Sequence, residues 1–479
     1  MRLVRPGERN IRYAENGYGG DLSSPEAVRQ LRQLLGEGQA DRVGGIINCL
    51  GLSSLCRTTA AEDGDAEASV AEWTFNIVKE FLDDLQESAS AGGGWFINVT
   101  ALGGQFGLGD ESPPSLAAAG TLGITKTLRR EYPRLHVKNI DVDPHLPPDM
   151  LVARLIQELD VDDDLVEAGL MGDGRWRPAL TPSPVAQAST RLALEKEAVI
   201  LVTGGACGIT AEVARSLADR IKPRLIMVGR SPRPEPELHQ TARLDRASLR
   251  QFFLEEVRAS GERILPAAIE QSVNRILKER QIRGNLDSFA AAGAEVEYHA
   301  LDVRDSRQFG GLIDGLYERF GRIDGVIHGA GIIEDKRIAD KALPSFARVF
   351  RTKVQSALTL ARKLRPETLR FLVFFGSVSG RFGNVGQVDY SAANEVLNKL
   401  ADRLHRTWPA RVVCINWGPW DGGMVSDDLR RLYSAAGVEL MSVEEGVSSF
   451  LSEIDRTDRP NGEVVIARGI GRMPGGGMT

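Results

Sequence analysis

The chain has 479 residues, which is long enough for two α/β domains rather than one. Its 42% hydrophobic and 26% charged residues are typical of a globular protein, and its net charge of −6 argues against nucleic acid or an anionic membrane as the main partner. No apolar run approaches the roughly 18 residues of a membrane span, and the first ten residues contain no apolar signal core. We therefore expect a cytoplasmic protein.

The four cysteines are scattered, and no histidine cluster lies near them. Cys49 and Cys56 form the nearest pair, but their spacing matches no known metal site. The sequence therefore predicts buried thiols and neither a disulfide nor a metal.

The first half of the chain contains three segments that resemble segments of the second half in the same order. The pairs are Gly44–Gly51 with Asp324–Gly331, Gly104–Gly107 with Gly380–Gly383, and Ala117–Asp143 with Ser391–Trp417. We interpret them as two copies of one α/β unit, with chance similarity of apolar segments as the alternative. The first copy has no strand that runs into a glycine-rich turn. We therefore expect a structural subdomain over residues 1–190 and a catalytic subdomain over residues 191–479.

The second half opens on LVTGGACGIT, residues 201–210. Ala198–Val202 predicts a buried strand, and Glu212–Asp219 predicts the helix that follows the glycine-rich turn. This order of strand, turn and helix can bind the pyrophosphate of a dinucleotide. One glycine of the usual fingerprint is missing, so a plain turn is the alternative. The residues predicted to contact the dinucleotide here are Thr203, Gly204, Gly205, Ala206, Cys207, Gly208 and Ile209.

Three further predicted strands end in residues that suit a dinucleotide. Arg224–Val228 ends before Arg230, and an arginine at this place favours the 2′-phosphate of NADPH. Val296–Ala300 ends before Asp302, which is placed to accept from the adenine amino group. Gly325–His328 opens into small residues that let the backbone pass close to a ligand. A surface arginine and a tight loop are the alternatives. The predicted contacts are Arg230, Ser231, Asp302, Val303, Gly329, Ala330 and Gly331.

The chemistry lies in the stretch FFGSVSGRFGNVGQVDYSAANEVLNKL, residues 374–400. Ser377 follows a predicted strand, Tyr390 begins a predicted helix, and Asn394 lies one turn later. Reduction of a ketone needs a proton donor and a second hydrogen bond at the carbonyl oxygen. A tyrosine, with a pKa of about 10, donates poorly unless a cation eases its ionisation. Lys353, on the predicted helix Phe346–Leu360, is the candidate cation.

This set resembles the short-chain dehydrogenase/reductase superfamily, and more narrowly the ketoreductase domains of polyketide and polyunsaturated fatty acid synthases. In common short-chain reductases the lysine follows the tyrosine by four residues, whereas here Asn394 takes that place and Lys353 precedes Tyr390 by 37. Ser377 precedes Tyr390 by 13, the spacing typical of synthase ketoreductases.

The resemblance implies an α/β fold of two tandem Rossmann-type, doubly wound parallel-sheet subdomains, of which the first has no cofactor site. It further implies NADPH-dependent reduction of a 3-oxoacyl thioester on an acyl carrier protein, with other synthase domains in the same chain. A free-standing reductase of small ketones and a non-catalytic scaffold domain are the alternatives.

The resemblance also extends to cofactor and substrate contacts. Pro419 lies in a Trp-Gly-Pro-Trp loop that matches the family loop covering the nicotinamide. Ile333-Glu334-Asp335 resembles the Leu-Asp-Asp signature of ketoreductases that give the D (3R) alcohol. The substrate contacts expected on this basis are Asp335, Phe382, Gln387, Trp420 and Met424.

Residues 231–292 are charged and helix-patterned, and they are longer than the connection in most modular polyketide ketoreductases. A segment of this length is similar to the corresponding segment in the ketoreductases of polyunsaturated fatty acid synthases and of iterative enediyne synthases. We do not choose between these two groups. It is either a dimer contact, a cover over the adenosine side of the cofactor or a solvated appendage.

Overall fold

A computed structural model describes residues 1–36, 42–52, 65–109, 115–161, 163–183, 194–260, 266–422, 427–435, 437–456 and 461–469. These residues form three β-sheets with helices packed on them. Among them, no helix combines the length and the apolar character that crossing a bilayer would need.

The first half contains a small sheet, a larger sheet and the helices between their strands. The small sheet has the order β1-β3-β2, and the larger has the order β4-β5-β6-β7-β8, in which only β8 is antiparallel to its neighbour. The elements are β1 (Leu3–Pro6), β2 (Ile11–Ala14), β3 (Gly17–Gly20), α1 (Pro25–Gly36), β4 (Gly45–Gly51), α2 (Asp65–Glu80), α3 (Leu82–Ser90), β5 (Trp95–Thr100), α4 (Ala119–Glu131), β6 (His136–Val142), α5 (Pro148–Leu159), β7 (Glu167–Met171) and β8 (Gly174–Trp176).

The second half is built on a seven-stranded parallel sheet of order β11-β10-β9-β12-β13-β14-β15. Strands β9 and β14 are buried along their whole length because helices cover both faces of the sheet. The elements are β9 (Val199–Thr203), α6 (Gly208–Ile221), β10 (Arg224–Gly229), α7 (Arg246–Ser260), α8 (Pro266–Ala291), β11 (Glu295–Ala300), α9 (Ser306–Phe320), β12 (Gly325–His328), α10 (Leu343–Lys363), β13 (Phe371–Ser377), α11 (Val378–Phe382), α12 (Val388–Thr407), β14 (Arg411–Trp417), α13 (Asp427–Ala435), α14 (Val443–Ile454) and β15 (Glu463–Ile466).

The strand order reverses between β9 and β12, and ligands of such sheets bind at the carboxyl ends of the strands at this point. The predicted glycine turn follows β9, and the predicted small residues follow β12. The predicted α/β fold is therefore confirmed, and the topology brings these two segments to one edge of the sheet.

The two larger sheets correspond over part of their length. The repeated segments fall on β4, α4 and β6 in the first half and on β12, α12 and β14 in the second. The five-stranded sheet begins with the counterpart of β12, so its described strands include no counterpart of β9, β10 or β11. The described part of the first half thus lacks the strand that would carry a glycine turn. Its division from a catalytic subdomain at residue 190 remains our proposal.

The two halves share a core, formed where α2 and α4 pack against α10 and α12. The rings of Phe75 and Phe346 stack with their centroids 4.6 Å apart. Gly123 of α4 lies so close to the backbone of Ser391 in α12 that a Cβ atom would overlap it. Small residues are therefore required where the two helices cross.

The segment 231–292 contains α7 and α8, and α8 is not a solvated appendage along its whole length. Its last turns bury Ile282, Leu286 and Phe289 in the core cluster that includes Leu217 of α6. Asn285 donates from Nδ2 to the carbonyl oxygen of Ala206 at 2.9 Å. These turns form the crossover that links β10 to β11. The residues that make this segment unusually long therefore precede them.

The expectation of buried thiols is correct for Cys414 only. Cys207 is partly exposed and Cys49 is exposed, because its position on β4 points away from the core. Cys56 lies outside the described residues.

The close crossing of α4 and α12 predicts opposite effects for two helical Gly→Ala substitutions. Gly123→Ala should lower the free energy of unfolding by about 2 kcal/mol, because the added methyl group overlaps backbone. Gly284→Ala, in α8 with open space around it, should raise that free energy by about 0.5–1 kcal/mol through helix propensity. Urea unfolding of both variants measures the difference, and equal effects would contradict this packing.

Candidate active site

The glycine turn forms a narrow cradle between β9, α6 and β12. Gly204 has φ +69°, and a Cβ atom there would lie 2.9 Å from the carbonyl group of Gly329. A Cβ atom at Gly329 would in turn overlap the side chain of Thr210. Cys207, the residue before α6, makes no side-chain cap, so the first N–H groups of the helix remain available to an anion. The cradle therefore fits the predicted dinucleotide.

The residues predicted to bind the adenosine part of the dinucleotide follow β10 and β11. Arg230 is exposed after β10, and Ser231 accepts through its carbonyl oxygen from the Tyr298 hydroxyl at 2.7 Å. The carboxylate of Asp302 is already bound by the guanidinium of Arg304 at 2.6 Å. Arg304, with help from Arg230, holds the pKa of Asp302 below its usual range. Asp302 thus pairs with Arg304, and its role as an acceptor for the adenine amino group stays a prediction. Val303 beside it is buried.

The four predicted catalytic residues lie around the carboxyl end of β13. Lys353 is buried in α10, and its Nζ donates to the carbonyl oxygen of Phe375 at 2.7 Å. The same Nζ lies 5.3 Å from the centre of the Tyr390 ring. Asn394 donates from Nδ2 to the carbonyl oxygen of Tyr390 at 2.7 Å, and Ser377 ends β13 two residues beyond Phe375.

Burial governs the titration of the lysine and the tyrosine. Burial lowers the pKa of Lys353 to about 8 and raises the pKa of Tyr390 to about 12. A hydrogen bond with the side chain of Asn394 offsets part of the rise in the pKa of Tyr390. Burial is the largest cause of the raised pKa of Tyr390, and the expected easing of its ionisation by Lys353 stays a prediction. Tyr390 keeps its proton at neutral pH and can donate it.

A chain of hydrogen bonds extends from Ser377 toward Asp335. Ser377 Oγ accepts from the backbone N–H of Ser379 at 3.2 Å, and the Ser379 hydroxyl donates to Gln387 Oε1 at 2.7 Å. Gln387 Nε2 donates to Asp335 Oδ2 at 3.0 Å. The predicted substrate residues Asp335 and Gln387 are thus in contact, and Ser379, which was not predicted as a site residue, connects them to Ser377.

The remaining substrate predictions have different outcomes. Phe382 is half-buried at the end of α11. Trp420 was expected to contact the substrate, but its side chain is only 3% exposed. Its ring packs in the core against Trp417 and Gly446. Pro419 before it is half-buried, and Met424 lies outside the described residues.

His328 is a site residue that sequence reasoning missed. It is buried at the end of β12, where Nδ1 bonds with the Thr203 hydroxyl at 2.8 Å and Nε2 with the carbonyl oxygen of Lys353 at 3.1 Å. It thereby connects the glycine turn to the helix of the catalytic lysine. Burial lowers its pKa to about 3, so the imidazole is neutral. Its place before Gly-Ala-Gly was the available signal, but both partners are distant in sequence.

Comparison with known proteins gives one consistent result. Residues 198–422 match the family model of the KR domain. Residues 198–422 are a KR domain. This domain is of the type found in polyketide synthases and polyunsaturated fatty acid synthases. A KR domain is an oxidoreductase that reduces a β-keto group, and domains of this kind use a nicotinamide cofactor.

The relatives with similar sequences are large synthases. A polyunsaturated fatty acid synthase polypeptide of Thraustochytrium sp. is 26% identical over 90% of this chain, which spans 15% of that polypeptide. Polyketide synthase PksN of Bacillus subtilis is 26% identical over 69% of this chain, which spans 5% of that synthase. The solved N-terminal ketoreductase from the macrolactin assembly line has the same fold, with a TM-score of 0.68 and 19% identity over 97% of this chain and 81% of its own.

The buried, neutral His328 predicts a pH-dependent term in stability. The unfolded histidine takes up a proton near its ordinary pKa of about 6.5, whereas the folded one does so only at about 3. Stability is therefore lost as the pH falls through this window. The parent should lose about 1.4 kcal/mol per pH unit between pH 6 and 4 relative to His328→Gln.

Urea unfolding at several pH values measures this difference. The exposed His145 offers a matched control, since His145→Gln should follow the parent curve. A His328→Gln curve parallel to that of the parent would show that His328 does not carry this term.

Proposed function

We propose that the chain catalyses NADPH-dependent reduction of a 3-oxoacyl thioester, held on an acyl carrier protein, to the D (3R) 3-hydroxyacyl thioester. The observation that carries this proposal is the buried Lys353 beside the protonated Tyr390, at the sheet edge that also holds the glycine cradle. The relatives are synthases that build polyketides and polyunsaturated fatty acids, and they support a place among other synthase domains.

A bound nicotinamide supplies the hydride, and the chain's own residues control the oxygen of the ketone. The Tyr390 hydroxyl donates its proton to the oxygen that becomes an alkoxide, and the Ser377 hydroxyl donates a second hydrogen bond to it. Lys353 is charged at pH 7, since its pKa is about 8, and its position over the Tyr390 ring stabilises the tyrosinate left behind. Asn394 anchors a water that returns protons to Tyr390.

Preference for NADPH is supported by the place of Arg230, exposed at the end of β10. Its guanidinium has no carboxylate within ion-pair distance among the described residues, so it is available to a 2′-phosphate. Asp302 forms its ion pair with Arg304. The positive charge of Arg230 is therefore not neutralised by direct contact with Asp302.

The D (3R) product is supported by the different contacts of two neighbouring acids. Glu334 is bound by Arg348 and by the Ser345 hydroxyl at 2.6 Å, which lowers its pKa to about 2. Asp335 instead faces Gln387, on the loop before Tyr390. Asp335 is therefore the acid that can influence how the acyl chain enters.

Tyr390→Phe should lower kcat for a short 3-oxoacyl thioester by at least about 100-fold, because it removes the proton donor. The Kd for NADPH should change less than about twofold, since the glycine cradle is untouched. NADPH oxidation measures the first quantity, and fluorescence titration measures the second.

The same measurements separate the alternatives. Parent activity on simple ketones with none on acyl thioesters favours a free-standing reductase, and NADPH binding without turnover of carrier-bound substrate favours a scaffold domain. A Tyr390→Phe variant as active as the parent would disprove the catalytic assignment.

A further inference from the structure

The last turn of α4 belongs to the first half but contacts the loops of the active site. Glu131 is 7% exposed, and its carboxylate accepts the backbone N–H of Ile338 at 2.9 Å and that of Gly386 at 2.8 Å. The two oxygens thus hold two separate loops of the second half. A carboxylate buried in this way is stabilised chiefly by these hydrogen bonds.

The two loops carry the residues expected to meet the substrate. The loop after β12 contains Asp335, and the loop before α12 contains Gln387. They are joined to each other by the N–H of Lys336, which donates to the carbonyl oxygen of Gly386 at 2.9 Å, and by the bond between Gln387 and Asp335. One carboxylate therefore fixes the spacing of the two loops just ahead of Tyr390.

The neighbours of Glu131 hold the adjoining segment. Arg130 donates from Nε to the carbonyl oxygen of Phe382 at 3.0 Å. Gly383, with φ +68°, lies so close to the backbone of Lys126 that a Cβ atom there would be only 2.6 Å from its carbonyl carbon. The stretch from Phe382 to Gly386 therefore rests on α4.

In the second repeat, the counterpart of Glu131 makes different contacts among the described residues. Matching Pro133 with Pro409 places Arg130 opposite Arg406, and Arg406 donates to the carbonyl oxygen of Gly107 at 2.6 Å, much as Arg130 does to Phe382. The same match places Glu131 opposite Thr407, whose hydroxyl bonds back to its own helix. The carboxylate thus serves the half that carries the catalytic tyrosine.

We propose that Glu131 is a positioning residue for the reaction, supplied by the non-catalytic half. By holding the amides of Ile338 and Gly386, it sets where Asp335 and Gln387 stand relative to Tyr390, and so the affinity for the acyl chain and the configuration of the product. The inference rests on the proposed function for its kinetic consequences, while the loop contacts stand independently of it.

Glu131→Gln keeps the shape of the side chain but replaces one acceptor oxygen with an NH2 group, which cannot accept a hydrogen bond from a backbone N–H. The KM for the 3-oxoacyl thioester should rise about tenfold, and the minor 3-hydroxy enantiomer should appear, while kcat and the Kd for NADPH change less than about twofold. Backbone hydrogen exchange should accelerate at Ile338 and Gly386, which reports on the loops without requiring activity.

Two further variants complete the experiment. Arg129→Gln on the same turn is the control, because the contacts of Arg129 among the described residues are with Pro133 and Asp164 of the first half, and it should behave as the parent. Glu131→Asp retains the charge with a shorter reach, so it should restore much of the product configuration. If Glu131→Gln does not fold, Glu131→Asp carries the test with smaller shifts in the same direction.

Unchanged KM, product configuration and hydrogen exchange in folded Glu131 variants would overturn the inference. Lower stability with those three readouts unchanged would also overturn it, since that is a purely structural role. A parent that does not reduce the thioester would instead refute the proposed function, and the exchange rates at Ile338 and Gly386 would still decide whether Glu131 holds the loops.

Discussion

The packing of α4 against α12 is the contact on which the active site depends, because it joins the first half of the chain to the helix that carries Tyr390. Buried charges at this seam reinforce it. Lys126 of α4 lies 3.1 Å from Glu395 of α12, and Glu167 of β7 pairs with Arg381 of α11. Separating the halves would break these ion pairs and expose the apolar core that α4 and α12 share, which is unfavourable. The two halves are therefore constrained to act as one unit.

The same principle operates inside the second half. The buried Lys341 pairs with Asp389 at 2.5 Å, and Asp389 directly precedes Tyr390. Burial raises the pKa of Asp389 to about 6, although the lysine opposes this. With His328 between β9 and α10, every segment that carries a proposed catalytic group is held by at least one buried polar contact. Such contacts favour a preorganised site, which is what electrostatic stabilisation of a developing alkoxide requires.

The local parts of this arrangement could be predicted from the sequence. Gly325–His328 forms the predicted strand, and the helix predicted at Phe346–Leu360 extends to Leu343–Lys363, because apolar periodicity is a local signal. Long-range contacts could not be predicted in this way. Neither Glu131 nor His328 belongs to a motif, and the partner of Asp302 and the burial of Trp420 depend on side-chain packing. The two repeats indicated a shared origin, but only the sheet order shows that the described strands of the first include no counterpart of β9, β10 and β11.

The central claim is that hydride passes from NADPH to C3 of a carrier-bound 3-oxoacyl thioester. The most direct test uses NADPH that carries deuterium at both C4 positions of the dihydronicotinamide, with mass spectrometry and chiral analysis of the released 3-hydroxy acid. It is run beside NADH labelled in the same way. The account predicts deuterium at C3 of a single (3R) product, formed faster from NADPH. Product without deuterium at C3, or no product from a chain that binds NADPH, would contradict it.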